Sequence, residues 1–103
     1  MGFPRDKIVA VWWGGSEEDV IPAGEAAKGY IAGSFASDGV GFPVIQDIQK
    51  TLYANGKGNL SDQAAIGTVN YNRGVIGGIM MVEAIRVAQG KFGKKALNGD
   101  EVR

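Results

Sequence analysis

Ile8-Val9-Ala10-Val11-Trp12-Trp13 is an unbroken apolar run that stops at Gly14-Gly15. A short run of β-branched and aromatic residues ended by two glycines predicts a strand covered on both faces. Strands of that kind belong to parallel sheets and need neighbours. The rest of the chain offers few. Tyr30 to Phe35 is a second strand candidate, weakened by Gly33. Between the two, Asp19 to Ala27 is expected to hold a short helical turn near Pro22.

Beyond the second strand the pattern turns helical. Asp38-Gly39-Val40-Gly41 is a turn cluster, and Pro43 suits a first helical turn. Val44, Ile45, Ile48, Leu52 and Tyr53 recur at helical spacing until Asn55-Gly56 ends them. Lys57 to Leu60 reads as loop, with Ser61-Asp62 capping a brief turn. A longer helix is predicted from Val69 to Gln89, with Gly90 as its stop. Val75, Ile76, Ile79, Met80, Met81, Val82, Ile85 and Val87 make it apolar on more than one side. Glu83 and Arg86 keep its apolar run far short of the roughly 18 residues of a membrane span. Gly74, Gly77 and Gly78 lie one turn apart on it, each costing about 1 kcal/mol against Ala. Two readings account for them: close packing on a strand or helix, or the approach of a ligand or cleft wall.

Composition narrows the function. A length of 103 residues allows one small domain, and 45% hydrophobic content places it in the globular class. Eleven basic and eleven acidic residues cancel, which gives no electrostatic case for nucleic acid or an anionic membrane. There is no Cys and no His. That removes disulfides, thiolate metal sites, and the Cys-His and Ser-His-Asp forms of nucleophilic catalysis. The 17 glycines have no collagen-like or linker period and punctuate turns instead.

The common chemistry motifs fail when checked. No G-x-G-x-x-G is present. Gly56-Lys57 and Gly93-Lys94 look like P-loop endings, but Thr51 and Ala88 stand where the first Gly belongs, and no Ser or Thr follows either Lys. Glu17, Glu18 and Asp19 could approach a hard cation or form a solvated loop; calcium wants six or more oxygens at set spacing. Met1 to Asp6 lacks the apolar core of a signal peptide. Asn98-Gly99-Asp100-Glu101 reads as a capped helix start one turn from the last residue. A buried-type strand at one end and a short helix at the other are expected of a piece of a longer protein.

Taken in order, three segments resemble the later part of a periplasmic Leu/Ile/Val-binding protein, the solute receptor of branched-chain amino-acid ABC importers. They are Val11-Trp12-Trp13-Gly14-Gly15-Ser16-Glu17-Glu18-Asp19-Val20, Ile21-Pro22-Ala23-Gly24-Glu25-Ala26-Ala27-Lys28-Gly29-Tyr30, and Phe42-Pro43-Val44-Ile45-Gln46. Gly67-Thr68-Val69-Asn70-Tyr71-Asn72-Arg73-Gly74 through Ala88 continues the likeness. The resemblance implies an α/β fragment of a two-lobed type I binding-protein fold, with parallel-type strands and covering helices. Residues 7–22 would come from one lobe, 23–35 would cross the hinge, and 36–103 would come from the other lobe. Hinge closure would bury the ligand between the lobes.

The same resemblance implies a non-catalytic, periplasmic receptor for branched-chain amino acids or a related small solute, partnered by a membrane permease. An amino-acid zwitterion needs a carboxylate for its ammonium and an apolar wall for its side chain. Ser16 or Glu17 is the candidate for the polar end, one of Trp12 and Trp13 for the wall, with Trp13 at the strand's carboxyl end, and Tyr71 is a second cleft candidate. No catalytic, cofactor or metal residue is assigned. The rival reading is a free-standing small α/β interaction or nucleotide-binding module. The fragment alone is expected to bind ligand poorly and to form a homo-oligomer, its Ile8–Trp13 strand pairing with the same strand or packing on the helices of a second copy, for which exchange of the element is a low-cost route.

Overall fold

The first apolar run ceases to be a strand at Val11. In the computed structural model, which describes residues 2–103, β1 covers only Val9–Ala10 and the chain coils into a 3-10 turn over Trp12–Gly14. The turn lies against the following strand. A Cβ at Gly14 would stand 2.8 Å from the Tyr30 hydroxyl, and one at Gly15 would stand 2.6 Å from the Ala32 Cβ. Only glycine lets the two segments approach so closely. β2 is equally short, Ile31–Ala32, and pairs with β1 in parallel with Val9 opposite Ile31 and Ala10 opposite Ala32. The Gly33 amide extends the ladder to the Ala10 carbonyl at 3.0 Å.

A parallel pair requires a crossover. Here it is α1 (Glu17–Ala23) followed by a 3-10 turn at Gly24–Ala27. The Arg5 guanidinium closes the end of that turn, donating to the carbonyls of Glu25 at 3.1 Å and Ala26 at 2.7 Å. A cation there faces the negative end of the turn's peptide dipoles.

α2 (Pro43–Thr51) starts with proline in its first turn and is followed by a 3-10 turn at Tyr53–Asn55. Ile45 is its buried residue, worth about 1.5–3 kcal/mol relative to exposure. Asp62 caps the 3-10 turn Gln63–Ala65, its carboxylate accepting from the Ala64 amide. α3 then runs from Val69 to Phe92.

The chain divides into two compact units, one up to Asn72 and one from Arg73 onward. Ala36, Ile45, Ile66 and Val69 form the buried apolar set of the first; Ala88 is the buried apolar residue of the second. Gly90 lies inside α3, not at its end. The stop is Gly93, whose φ of +86° suits glycine and whose amide donates to the Gln89 carbonyl at 3.0 Å. α4 (Gly99–Val102) opens with a full capping box: the Asn98 side chain accepts from the Asp100 and Glu101 amides, and the Glu101 carboxylate accepts from the Asn98 amide.

Three sequence expectations change. The α/β type I binding-protein architecture does not form: 59% of the described residues are helical, 3-10 turns included, and the strands are two residues each. The run Ile8–Trp13 is not covered on both faces, since Val9 is 72% exposed and Val11 and Trp13 are exposed with it. The glycines of α3 are not filled by a packed neighbour; nothing lies within 4 Å of the Cβ positions of Gly74, Gly77 or Gly78.

Candidate functional site

Among the described residues, the densest set of polar ties within one unit surrounds the start of α3. Four amides of a helix's first turn have no partner within the helix, and the aligned peptides leave that end positive. At α3 the answer comes from far along the chain. Both carboxylate oxygens of Glu17 accept from the Val69 amide, at 3.1 and 3.0 Å. Beside it, Glu18 accepts from the Asn70 side-chain amide at 3.0 Å. Thr68 supplies its hydroxyl to the Tyr71 amide at 3.3 Å.

Ser16 positions this arrangement. It is buried, and its hydroxyl donates to Asp19 at 2.9 Å, while its carbonyl accepts from the Asp19 and Val20 amides. That fixes the first turn of α1 and aims Glu17 outward from it. The acidic triplet is therefore dispersed: two carboxylates serve α3 and one serves Ser16. Among the described residues no three His, Cys, Asp or Glu side chains converge as a metal cluster.

Asn72 is the second component. It is 4% exposed, and its side-chain amide donates to the carbonyls of Ser37 at 2.9 Å and Gly39 at 3.1 Å. Its Oδ1 is buried and has no hydrogen-bond partner. Gly67 completes the clamp. Its carbonyl accepts from the Gly39 amide at 2.7 Å, its φ is +88°, and a Cβ there would lie 2.7 Å from Val40 Cγ1. One asparagine and two glycines thus pin the 37–40 turn to the entry of α3.

The four residues expected from sequence divide. Ser16 and Glu17 belong to this junction. Tyr71 sits in α3's first turn; burial raises its phenol above the ordinary tyrosine range, helped by a hydrogen bond with Tyr53 and by that ring's charge. Trp13 stands apart and is 69% exposed. It stacks on Trp12 with ring centroids 3.8 Å apart, and Trp12 meets Phe35 edge-on at 5.2 Å. The cleft nearby, between Gly14, Asp19, Val20 and Tyr30, holds about 190 Å³. Small-molecule sites usually span about 300–1,000 Å³. Asn72, Thr68 and Gly67 are functional neighbours that the sequence reading did not select. Their signal was the Thr68-Val69-Asn70-Tyr71-Asn72 opening, where two asparagines sit in a helix they do not favour.

No family model matches the chain, and no curated protein matches it. A solved structure does: one described as an ABC transporter permease from Pseudomonas fluorescens group, with a TM-score of 0.88 and 46% identity. The match covers 98% of this chain and 24% of that one, so the chain spans about a quarter of the protein it matches. This overturns the likeness to a Leu/Ile/Val-binding protein. The matched protein is described as a permease, not as a solute receptor. With the likeness go the receptor function, the amino-acid ligand, the permease as a separate partner and the periplasmic placement. The free-standing α/β module fares no better, because the chain is mostly helical and its match lies within a longer transporter chain. Among the described residues no helix is long and apolar enough to cross a membrane.

Proposed function

We propose that this chain is a non-catalytic portion of an ABC transporter component of the kind described as a permease. The observation that carries the reading is the match itself: 46% identity over 98% of this chain, with the backbone superposing at a TM-score of 0.88. Its polar groups support a structural role. The carboxylates of Glu17 and Glu18 and the amide of Asn72 are engaged with backbone or amide partners.

Within that component, Ser16 and Glu17 act as struts that hold α1 against the start of α3. Tyr71, paired with Tyr53, stiffens the same turn. Trp13, stacked on Trp12 and open on its outer face, is a contact residue for the rest of the transporter. The chain reaches the membrane through the transporter it belongs to.

Uptake decides the matter. Cells lacking the gene are supplied with the intact reading frame or with a Glu17→Gln, Asn72→Ala double variant, and energised uptake of a panel of labelled solutes is followed. The intact frame restores uptake of at least one solute; the double variant restores much less, with the protein still in the membrane fraction. Equal uptake across the whole panel with and without the gene would remove the transport reading.

A further inference from the structure

The turns of α3 between Gly74 and Val82 are apolar around the whole helix. Ile79, Met80, Met81 and Val82 are consecutive and exposed, the last three at 68%, 66% and 66%. Successive helical residues step about 100°, so four in a row sweep about 300° of the circumference. A helix apolar on every side is an interior helix of a larger body. Gly74, Gly77 and Gly78 share one side, and nothing lies within 4 Å of where their Cβ atoms would be. Such glycines weaken a helix unless another backbone uses the space. Met80 and Val87 lie on the opposite side from Gly78, and both are exposed. The apolar collar ends where charge resumes: Arg86 donates twice to Glu83, at 2.7 and 2.6 Å.

We propose that α3 between Gly74 and Val82 is a docking surface enclosed on two sides by the remainder of a longer polypeptide. On the Gly74–Gly78 side the partner brings a closely packed backbone. On the Met80–Val87 side it brings a layer of apolar side chains. The inference rests on the reading of this chain as part of a transporter component, and the matched structure supplies the occupant. This chain corresponds to 24% of that protein, so 76% of it lies outside the matched part. A second copy of this chain fits less well. An isologous contact seats one face of a helix on its counterpart and leaves the other face in water.

The chain has no cysteine, so single thiols report without interference. Met80→Cys and Met81→Cys, with exposed Lys94→Cys as the control, are reacted with a maleimide. This is done in the 103-residue chain and in the product of its whole reading frame, with any cysteine elsewhere in that product changed to serine. In the 103-residue chain both sites label at the control rate. In the longer product both slow by about a hundredfold or more, because labelling then waits for the packed layer to open. A control rate at either site in the longer product overturns the proposal. So does a frame that encodes nothing beyond these residues. Slow labelling in the 103-residue chain also overturns it, by assigning the cover to a second copy if dilution restores the rate and to the chain itself if it does not. Gly78→Leu gives an independent readout: it lowers the melting temperature of the longer product and leaves that of the 103-residue chain unchanged or higher. An unchanged melting temperature in the longer product counts against the docking. Protected thiols with no uptake defect would remove the transport reading and keep the docking surface; exposed thiols with intact transport would do the reverse.

Discussion

Glu17 reaches 52 residues along the chain to find the Val69 amide, whereas Glu101 reaches three to find the Asn98 amide. The contrast holds across the two units. Residues up to Asn72 are tied by bonds such as Asn72 to Ser37 and Arg5 to Ala26, 35 and 21 positions apart. In the second unit, ties such as Arg86 to Glu83 and Lys95 to Glu101, six positions on, are local. A local tie, when broken, frays one turn. A long-range tie, when broken, frees a whole loop. The first unit should therefore respond steeply to single substitutions and the second only slightly.

Gly67→Ala should have the largest effect. It forces a side chain into the left-handed region and against Val40, and the first unit should lose about 3 kcal/mol. Both tryptophans lie in that unit, so denaturant unfolding followed by tryptophan fluorescence reads it directly. A shift below a third of that size would mean the 37–40 turn is not pinned there. Next is Asn72→Ala, which strands the Ser37 and Gly39 carbonyls and should cost about 2 kcal/mol by the same measurement.

Asn98→Ala tests the other side of the contrast. It removes the cap of α4 and should cost about 1 kcal/mol locally. Amide exchange in residues 99–102 should quicken while the tryptophan transition stays where it was. A moved tryptophan transition would show that the two units unfold together. The smallest effect belongs to pH. The Lys95 ammonium, and after it the Asn98 amide, hold the Glu101 carboxyl below its usual range. A carboxyl lowered on folding contributes above its unfolded value and loses that contribution as pH falls through its folded one. Protection of α4 should thus decline on acidification below the ordinary Glu range, and Lys95→Met should weaken that dependence while leaving the part due to the Asn98 amide.

The same contrast explains what could be read from sequence. Pro43 opening α2, Asp62 as a cap and Asn98 as another were legible, because each depends on partners within four residues, whereas α2 ends at Thr51, before the Asn55-Gly56 expected to stop it. The run Ile8–Trp13 was legible as a strand in kind but not in length. Its early end depends on Trp12 stacking and on Tyr30 and Ala32, some twenty residues on. Gly90 looked like a stop because glycine is a poor helix former, yet a helix tolerates it; the true stop needed a positive φ, which Gly93 has. Ser16 and Glu17 stand out in the sequence as a polar, acidic pair just after the apolar run Ile8–Trp13, not as the start of a helix. What Glu17 holds could not, since nothing near residue 17 points to residue 69. The importance of Asn72 was equally hidden, because its partners are backbone carbonyls, which every residue possesses.

The bond from Glu17 to the Val69 amide also orders events in time. Closing a loop of that length must await the meeting of distant segments, while α3's later turns and the Asn98 box need only their immediate neighbours. α3 should therefore form from its distal turns backward, with its first turn secured last. Glu17→Gln should accordingly speed unfolding and leave the refolding rate nearly unchanged, as stopped-flow measurement of both arms would show. A refolding rate that drops in step with stability would place the Glu17 contact in the folding nucleus and reverse that order.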